Sequence, residues 1–408
     1  MRAVRRRSKK QNFQLELVHD MDLSWILNHL GEDREQYFGA VAPPIVQSSI
    51  FAFPTVAAMR EAFRDELAAH VYTRGNNPTV EILRRKVAAL EGAEDCLMFG
   101  SGAGAISAAV IGSLRGGDHA ICVARPYSWT RAVLHTMLGR FGVTSTFIDG
   151  TDIANFENAL TDKTRLIVCE SPNSMTFEQQ DLAAVAALAK SRGIRTLCDN
   201  SWATPLNQSP IALGIDLVAH SATKYLNGHS DVVAGVLCGR HAVIQEIFKG
   251  PFMTLGALLA PHDAWLMIRG LRTLPIRMQR IAATTAEVRA FLEAHPKVRK
   301  IYAPFATDNA QLALTAQQLR GSSGLLTLEL DASDVASVER FCDSLKRFLM
   351  TVSWGGYESL LFPVAAVHPP DSPLNPPGVL PLNLVRLSIG LEEPSVLIRD
   401  LEAALALL

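Results

Sequence analysis

Three neighbouring stretches decide the fold: Arg165-Leu166-Ile167-Val168-Cys169, then Leu182-Ala183-Ala184-Val185-Ala186-Ala187-Leu188-Ala189-Lys190, then Thr196-Leu197-Cys198-Asp199-Asn200. The first and third are short apolar runs of strand length. The second consists almost entirely of strong helix formers and has neither glycine nor proline. A strand, a helix of that length and another strand predict a crossover between parallel strands. Working outward, Ala120-Ile121-Cys122-Val123 and Asp216-Leu217-Val218-Ala219 read as further strands, and residues 80–90 have helical composition and spacing. The fold class is therefore α/β, a mostly parallel sheet with helices on both faces over residues 58–255, and ligands are expected at the carboxyl ends of its strands.

Residues 1–57 read as an irregular N-terminal arm, because Ala42-Pro43-Pro44 and the extended run ending in Phe53-Pro54 cannot continue as helix. After residue 255 the order of elements changes: 284–294 reads as helix, 325–330 as strand, 335–348 as helix, 384–389 as strand and 394–407 as a closing helix with Pro394 in its first turn. That pattern predicts a smaller α+β domain over 256–408. Residues 364–381, with prolines at 369, 370, 373, 376, 377 and 381, read as a loop bordering a site.

The chain has 408 residues and is 48% hydrophobic, enough for a large core in two unequal domains. Lys plus Arg number 39 against 40 Asp plus Glu, so the basic excess that nucleic-acid binding requires is missing. Arg5-Arg6-Arg7 and Lys9-Lys10 form the one charge run. No apolar segment follows it, so it reads as a flexible basic tail, with an organellar transit peptide as the alternative. No window offers the ~18 apolar residues of a membrane helix. The cysteines, at 96, 122, 169, 198, 238 and 342, lack C-x-x-C or metal-ligand spacing and read as reduced, mostly buried residues of a cytoplasmic protein.

The chemistry gathers around Ser221-Ala222-Thr223-Lys224-Tyr225-Leu226-Asn227-Gly228-His229-Ser230-Asp231. Alone, Lys224 is an ordinary surface cation and Asp199-Asn200 an ordinary turn. Together they supply what a pyridoxal phosphate enzyme needs: an amine to link to the cofactor aldehyde and a carboxylate for its ring nitrogen. Ser221 and Thr223 add small hydroxyls suited to a phosphate. Gly100-Ser101-Gly102-Ala103-Gly104-Ala105 opens a helix-like run and can cradle a phosphate with its amides, although close helix packing would select the same residues. Tyr127 follows a strand and emerges where a cofactor ring would lie; a structural tyrosine fits that position equally well. Tyr72-Thr73-Arg74-Gly75-Asn76-Asn77-Pro78-Thr79 places a phenol and a planar cation on a loop, suited to an anion. Ser353-Trp354-Gly355-Gly356-Tyr357-Glu358-Ser359-Leu360 and Arg386-Leu387-Ser388-Ile389-Gly390 put polar groups beside strands of the smaller domain, and a buried Arg386 calls for an anionic partner or ligand.

From about Gly39 to the C-terminus these motifs resemble the Cys/Met-metabolism family of pyridoxal phosphate enzymes, the fold-type I group of trans-sulfuration enzymes, and look most like bacterial cystathionine β-lyases. Trp354 stands where γ-acting members usually have leucine. Asp199-Asn200-Ser201-Trp202-Ala203, Gly270-Leu271-Arg272-Thr273-Leu274 and Gly321-Ser322-Ser323-Gly324-Leu325 are similar to the same branch.

The resemblance implies that Lys224 links to the cofactor and Asp199 meets its ring nitrogen. It implies that Gly102, Ala103, Ser221 and Thr223 hold the phosphate, joined by Tyr72 and Arg74 from a neighbouring subunit, and that Tyr127 stacks on the ring and assists proton transfer. Ser353 and Arg386 match substrate-carboxylate positions, and Trp354 and Tyr72 also border the substrate. Implied with these are a homotetramer of dimers with shared sites and β-elimination of cystathionine or a related cysteine S-conjugate to pyruvate, ammonia and a thiol. A γ-acting lyase or synthase is the alternative, and a non-catalytic cofactor-binding scaffold is the rival from another class. Three positions depart from the family pattern. Ser174, in Glu170-Ser171-Pro172-Asn173-Ser174, replaces an asparagine that contacts the cofactor's phenolic oxygen. Ala132 replaces an aspartate that β-lyases carry near the distal end of cystathionine. Trp129 stands where methionine γ-lyases have cysteine.

Overall fold

A computed structural model describes residues 22–375 and 379–408; the basic run within residues 2–10 and the pair Pro376-Pro377 lie outside the described residues. The larger sheet has seven strands: β1 (Asp95–Phe99), β2 (His119–Val123), β3 (Thr144–Ile148), β4 (Thr164–Glu170), β5 (Arg195–Asp199), β6 (Leu217–Ser221) and β7 (Gly235–Gly239). Their order is β1-β7-β6-β5-β4-β2-β3. From β3 to β6 all neighbours pair parallel, while β7 is antiparallel to both β6 and β1. Every residue of β1, β2 and β7 is buried, as strands covered on both faces must be, whereas the edge strand β3 has no fully buried residue.

The helices against this sheet carry their own stop and start signals. Asn77 caps Pro78–Glu91 by accepting from the Thr79 N–H, proline occupies the first turn, and Gly92 ends the helix in the left-handed region. Ser101 caps Gly102–Ser113 by accepting from Gly104 N, and Asp181 caps Leu182–Ser191. β1, β3 and β7 were not anticipated from the sequence. β1 and β7 find each other through the antiparallel register Leu97↔Leu237, a long-range pairing with no local signature.

A second sheet of five strands, β8 (Val298–Tyr302), β9 (Leu325–Leu330), β10 (Leu349–Met350), β11 (Leu360–Pro363) and β12 (Leu384–Ser388), runs in the order β10-β11-β12-β9-β8 and is antiparallel except for β10 against β11. The helix read over 284–294 begins a full ten residues earlier, as Leu274–Glu293. Arg277 masks its start in the sequence: the side chain is buried, and the guanidinium donates to the Tyr225 and Gly270 carbonyls at 2.9 Å each. The helix read over 335–348 stops at Ser344, because Asp400 accepts the Lys346 and Arg347 N–H groups at 3.0 and 2.8 Å and turns the chain outward.

The N-terminal segment is less irregular than its composition predicts. Leu23–Asn28 is helical, capped by Asp22, and buries Ile26 and Leu27. A buried lysine fixes it: Lys86 Nζ donates to the Ile26 and Leu27 carbonyls and pairs with Glu32, each at 3.0 Å. Beyond it Phe38, Val41, Ile50 and Val56 are exposed. Among the described residues no helix is long and apolar enough to cross a membrane.

Candidate active site

β4, β5 and β6 end side by side, and the candidate site grows from their carboxyl ends. Glu170 and Asp199 are register partners there. Asp199 Oδ1 accepts from Ser201 N at 2.9 Å and Ser201 Oγ at 2.6 Å, while Oδ2 takes no hydrogen bond among the described residues. Burial pushes the Asp199 carboxyl above its ordinary value, and the Ser201 bonds and the nearby His220 and Lys224 charges pull it back. Burial and the Asp199 charge push Glu170 up to about 8.

Lys224 sits on the connection from β6 to β7. Its amine donates to Ser353 Oγ at 2.6 Å and lies 5.3 Å from the Trp354 ring centroid. Burial, followed by the Arg386 charge, lowers it to about 8 against an opposing pull from Asp199. An amine with that value is partly neutral near pH 7 and can both take and give a proton. Gly355, the second residue after Ser353, has φ +84°, and a Cβ there would stand 3.0 Å from Tyr225 N and 3.1 Å from Lys224 Cβ, so only glycine lets this turn lie against the lysine. Trp354, 8% exposed, packs on Tyr225 at 5.5 Å between centroids.

Arg386, central in β12, is 7% exposed and has no carboxylate partner among the described residues. Two carbonyls hold its fork instead, Ser174 O on Nη1 and Val352 O on Nη2, both at 3.0 Å. A buried guanidinium steered by neutral groups retains charge for an incoming carboxylate.

Tyr127 is the residue before the short helix Ser128–Arg131 and is partly exposed, and the charges of Asp199 and Glu170, after burial, raise its phenol. Gly102 begins its helix so close to β6 that a Cβ would lie 2.7 Å from both Cα and Cβ of Ser221. The first backbone N–H groups of that helix, including those of Gly102 and Ala103, have no partner within the helix and are available to an anion.

These features fit pyridoxal phosphate. A half-buried carboxylate with one oxygen that takes no donor suits a protonated ring nitrogen, a glycine-tight helix start beside Ser221 suits a phosphate, and the half-buried Lys224 amine lies close enough to Asp199 to feel its charge. Lys224, Asp199, Tyr127, Gly102, Ala103, Ser221, Ser353, Trp354 and Arg386 are thus brought into one region. Thr223 lies there too, but its hydroxyl is engaged with Ala234, accepting from N at 3.0 Å and donating to O at 3.3 Å. Tyr72 and Arg74 are exposed on their loop with the guanidinium carbon 5.5 Å from the phenol ring centroid, and among the described residues neither side chain bonds to the cluster. Trp129 is exposed and Ala132 half-buried on the turn after Tyr127.

At Ser174 the backbone carbonyl, rather than the side chain, faces Arg386. Asn173 does not take over the role of the missing asparagine, because its Nδ2 donates within the loop to Thr176 Oγ1 and Glu178 Oε2, at 3.1 Å each. Glu170 and Ser201 received no role from the sequence. Their positions, at and just after the ends of adjacent parallel strands, were the available signal.

The chain matches the family model described as Cys/Met metabolism PLP-dependent enzyme over residues 26–406. It is 38% identical to an L-methionine gamma-lyase of Pseudomonas putida over 380 residues, covering 92% of this chain and 95% of that one. It is 36% identical to the chloroplastic cystathionine gamma-synthase 1 of Arabidopsis thaliana over 358 residues, 87% of this chain and 63% of that protein. The crystal structure of metB from Corynebacterium glutamicum superposes with a TM-score of 0.88 at 31% identity, covering 96% of this chain and 99% of that one. The relatives carry γ-chemistry in their names, whereas the sequence motifs pointed to the β-acting branch; the cofactor and the architecture are common to both. With a matching model across nearly its whole length and relatives above 30% identity, the chain belongs to the Cys/Met metabolism family of pyridoxal phosphate-dependent enzymes.

Proposed function

We propose that the chain is a carbon–sulfur lyase that eliminates a thiol from a cysteine thioether, giving pyruvate and ammonium with uptake of one water. The observation that carries the β position is Trp354, whose buried indole lies beside the Lys224 amine at a position where γ-acting members usually have leucine. A γ-acting reading has one specific support, the γ-lyase and γ-synthase names of the relatives. Ala132 and the exposed Trp129 offer no charge to a distal ammonium, which supports a simple or apolar S-substituent.

When bound, pyridoxal phosphate supplies the electron sink that allows an amino acid to lose its Cα proton. In this reading Gly102, Ala103 and Ser221 hold the phosphate, Thr223 joins them when its hydroxyl turns from the Ala234 carbonyl, and Tyr72 and Arg74 reach into the same pocket of a second copy. The exposed apolar residues around Phe38 to Val56 support such an assembly. Asp199 sets a negative charge against the ring nitrogen, and Tyr127 covers the ring face. Arg386 pairs with the substrate carboxylate and so fixes which Cα bond faces Lys224. The Lys224 amine takes the Cα proton and, as an ammonium, stands ready to protonate the departing sulfur, while Ser353 orients it. All six cysteines are free and buried, in keeping with a cytoplasmic setting.

The keto acid decides the position of cleavage. Incubating the loaded enzyme with cystathionine, S-methylcysteine and methionine should release pyruvate from the first two and little product from the third. Release of 2-oxobutyrate as the main product would replace the β reading with the γ one.

A further inference from the structure

Glu170 is left without a task by the chemistry above, yet it is buried and stands among the groups that perform it. Its Oε2 accepts the Tyr127 N–H at 2.5 Å. The Ser174 N–H favours the charged form of the same carboxyl, and the Ser174 carbonyl accepts from Arg386 Nη1 at 3.0 Å. Between these bonds there is little slack. Glu170 is fixed in register opposite Asp199, and the three N–H groups gathered by Asn173 Oδ1 stiffen the loop that carries Ser174. The Tyr127 carbonyl is held by the helix it precedes, accepting the Thr130 and Arg131 N–H groups at 2.9 and 3.2 Å, and its N–H is held by Glu170.

We infer that Glu170 is a positioning residue that locks the two clamps of the site together, holding Tyr127 over the cofactor ring with one bond and steering Arg386 toward the substrate carboxylate through Ser174 with the other. An amide cannot replace it, because two converging N–H groups need two oxygens and an amide offers one. Leaving either N–H buried without a partner frees the segment that carries it. The inference rests on the assignment of Arg386 to the substrate carboxylate.

The test compares loaded wild type with Glu170→Ala in two readouts. Visible circular dichroism of the bound cofactor reports the Tyr127 stack. Spectral titration with 2-aminoisobutyric acid, which lacks a Cα proton, against isopropylamine reports the preference for a carboxylate. Glu170→Ala should lose at least half of the dichroic band and at least tenfold of the carboxylate preference together. Wild-type values in both, or a change confined to one, would overturn the bridge. Arg386→Lys is the control: if it keeps the preference, the Arg386 assignment falls and the bridge falls with it, whereas loss in Arg386→Lys but not in Glu170→Ala overturns the bridge alone. Should Glu170→Ala not fold, Glu170→Gln should move at least one readout, and a variant like wild type in both overturns the inference.

Discussion

The Lys224 amine donates a 2.6 Å hydrogen bond to Ser353 Oγ, which ties the connection between β6 and β7 to the segment between β10 and β11. The reactive amine is therefore positioned by both sheets at once. Any shift of the second sheet against the first changes where the lysine points, and with it the geometry of proton transfer.

Lys224→Ala should lose elimination activity by about 10³-fold or more, because the link to the cofactor and the proton carrier vanish together. Borohydride reduction followed by peptide mass analysis should label the wild-type lysine and leave the variant unlabelled. Near-normal turnover in the variant would remove Lys224 from the mechanism.

Gly102→Ala should weaken cofactor retention roughly tenfold or more, since the new Cβ meets the Ser221 backbone at 2.7 Å and cannot be relieved by a side-chain rotation. Equilibrium dialysis of the loaded protein measures it. An unchanged dissociation constant would mean that the phosphate does not sit at this helix start.

Glu170 titrates in the folded chain at about 8, well above an ordinary glutamate, because burial and Asp199 oppose its charge while Arg386 favours it. The sign follows directly: the folded state binds the extra proton between the ordinary carboxyl value and about 8, so this contribution is full at low pH and is lost as pH rises through that window. In the cofactor-free protein, Glu170→Gln should therefore gain on wild type as pH climbs from ~5 to ~8, by a few degrees of melting temperature. A difference in melting temperature that stays constant with pH would show that the carboxyl does not titrate there.

Arg74→Ala and Lys224→Ala chains, each impaired alone, should recover part of the activity when mixed under conditions that exchange subunits, because one hybrid site then has both residues intact. Recovery is read as turnover against a no-exchange control. Proven exchange without recovery would place Tyr72 and Arg74 outside the shared site.

The sequence by itself determined the alternation of strands and helices, the glycine-rich helix start at 100–105, and the residue types at Lys224, Asp199 and Arg386, because periodicity, turn composition and chemistry are local properties of the chain. Tertiary structure alone decided that β7 runs antiparallel between β6 and β1, that Leu274–Glu293 starts ten residues early around a buried arginine, and that the arm docks on Lys86. It also decided that Glu170 lies opposite Asp199, that Arg386 is held by carbonyls rather than by a carboxylate, and that Ser353 meets Lys224 across 129 positions of chain. Each of these depends on register or on packing between segments far apart in sequence. A side chain's partners there are fixed by which backbones meet, and nothing in the neighbouring residues records that.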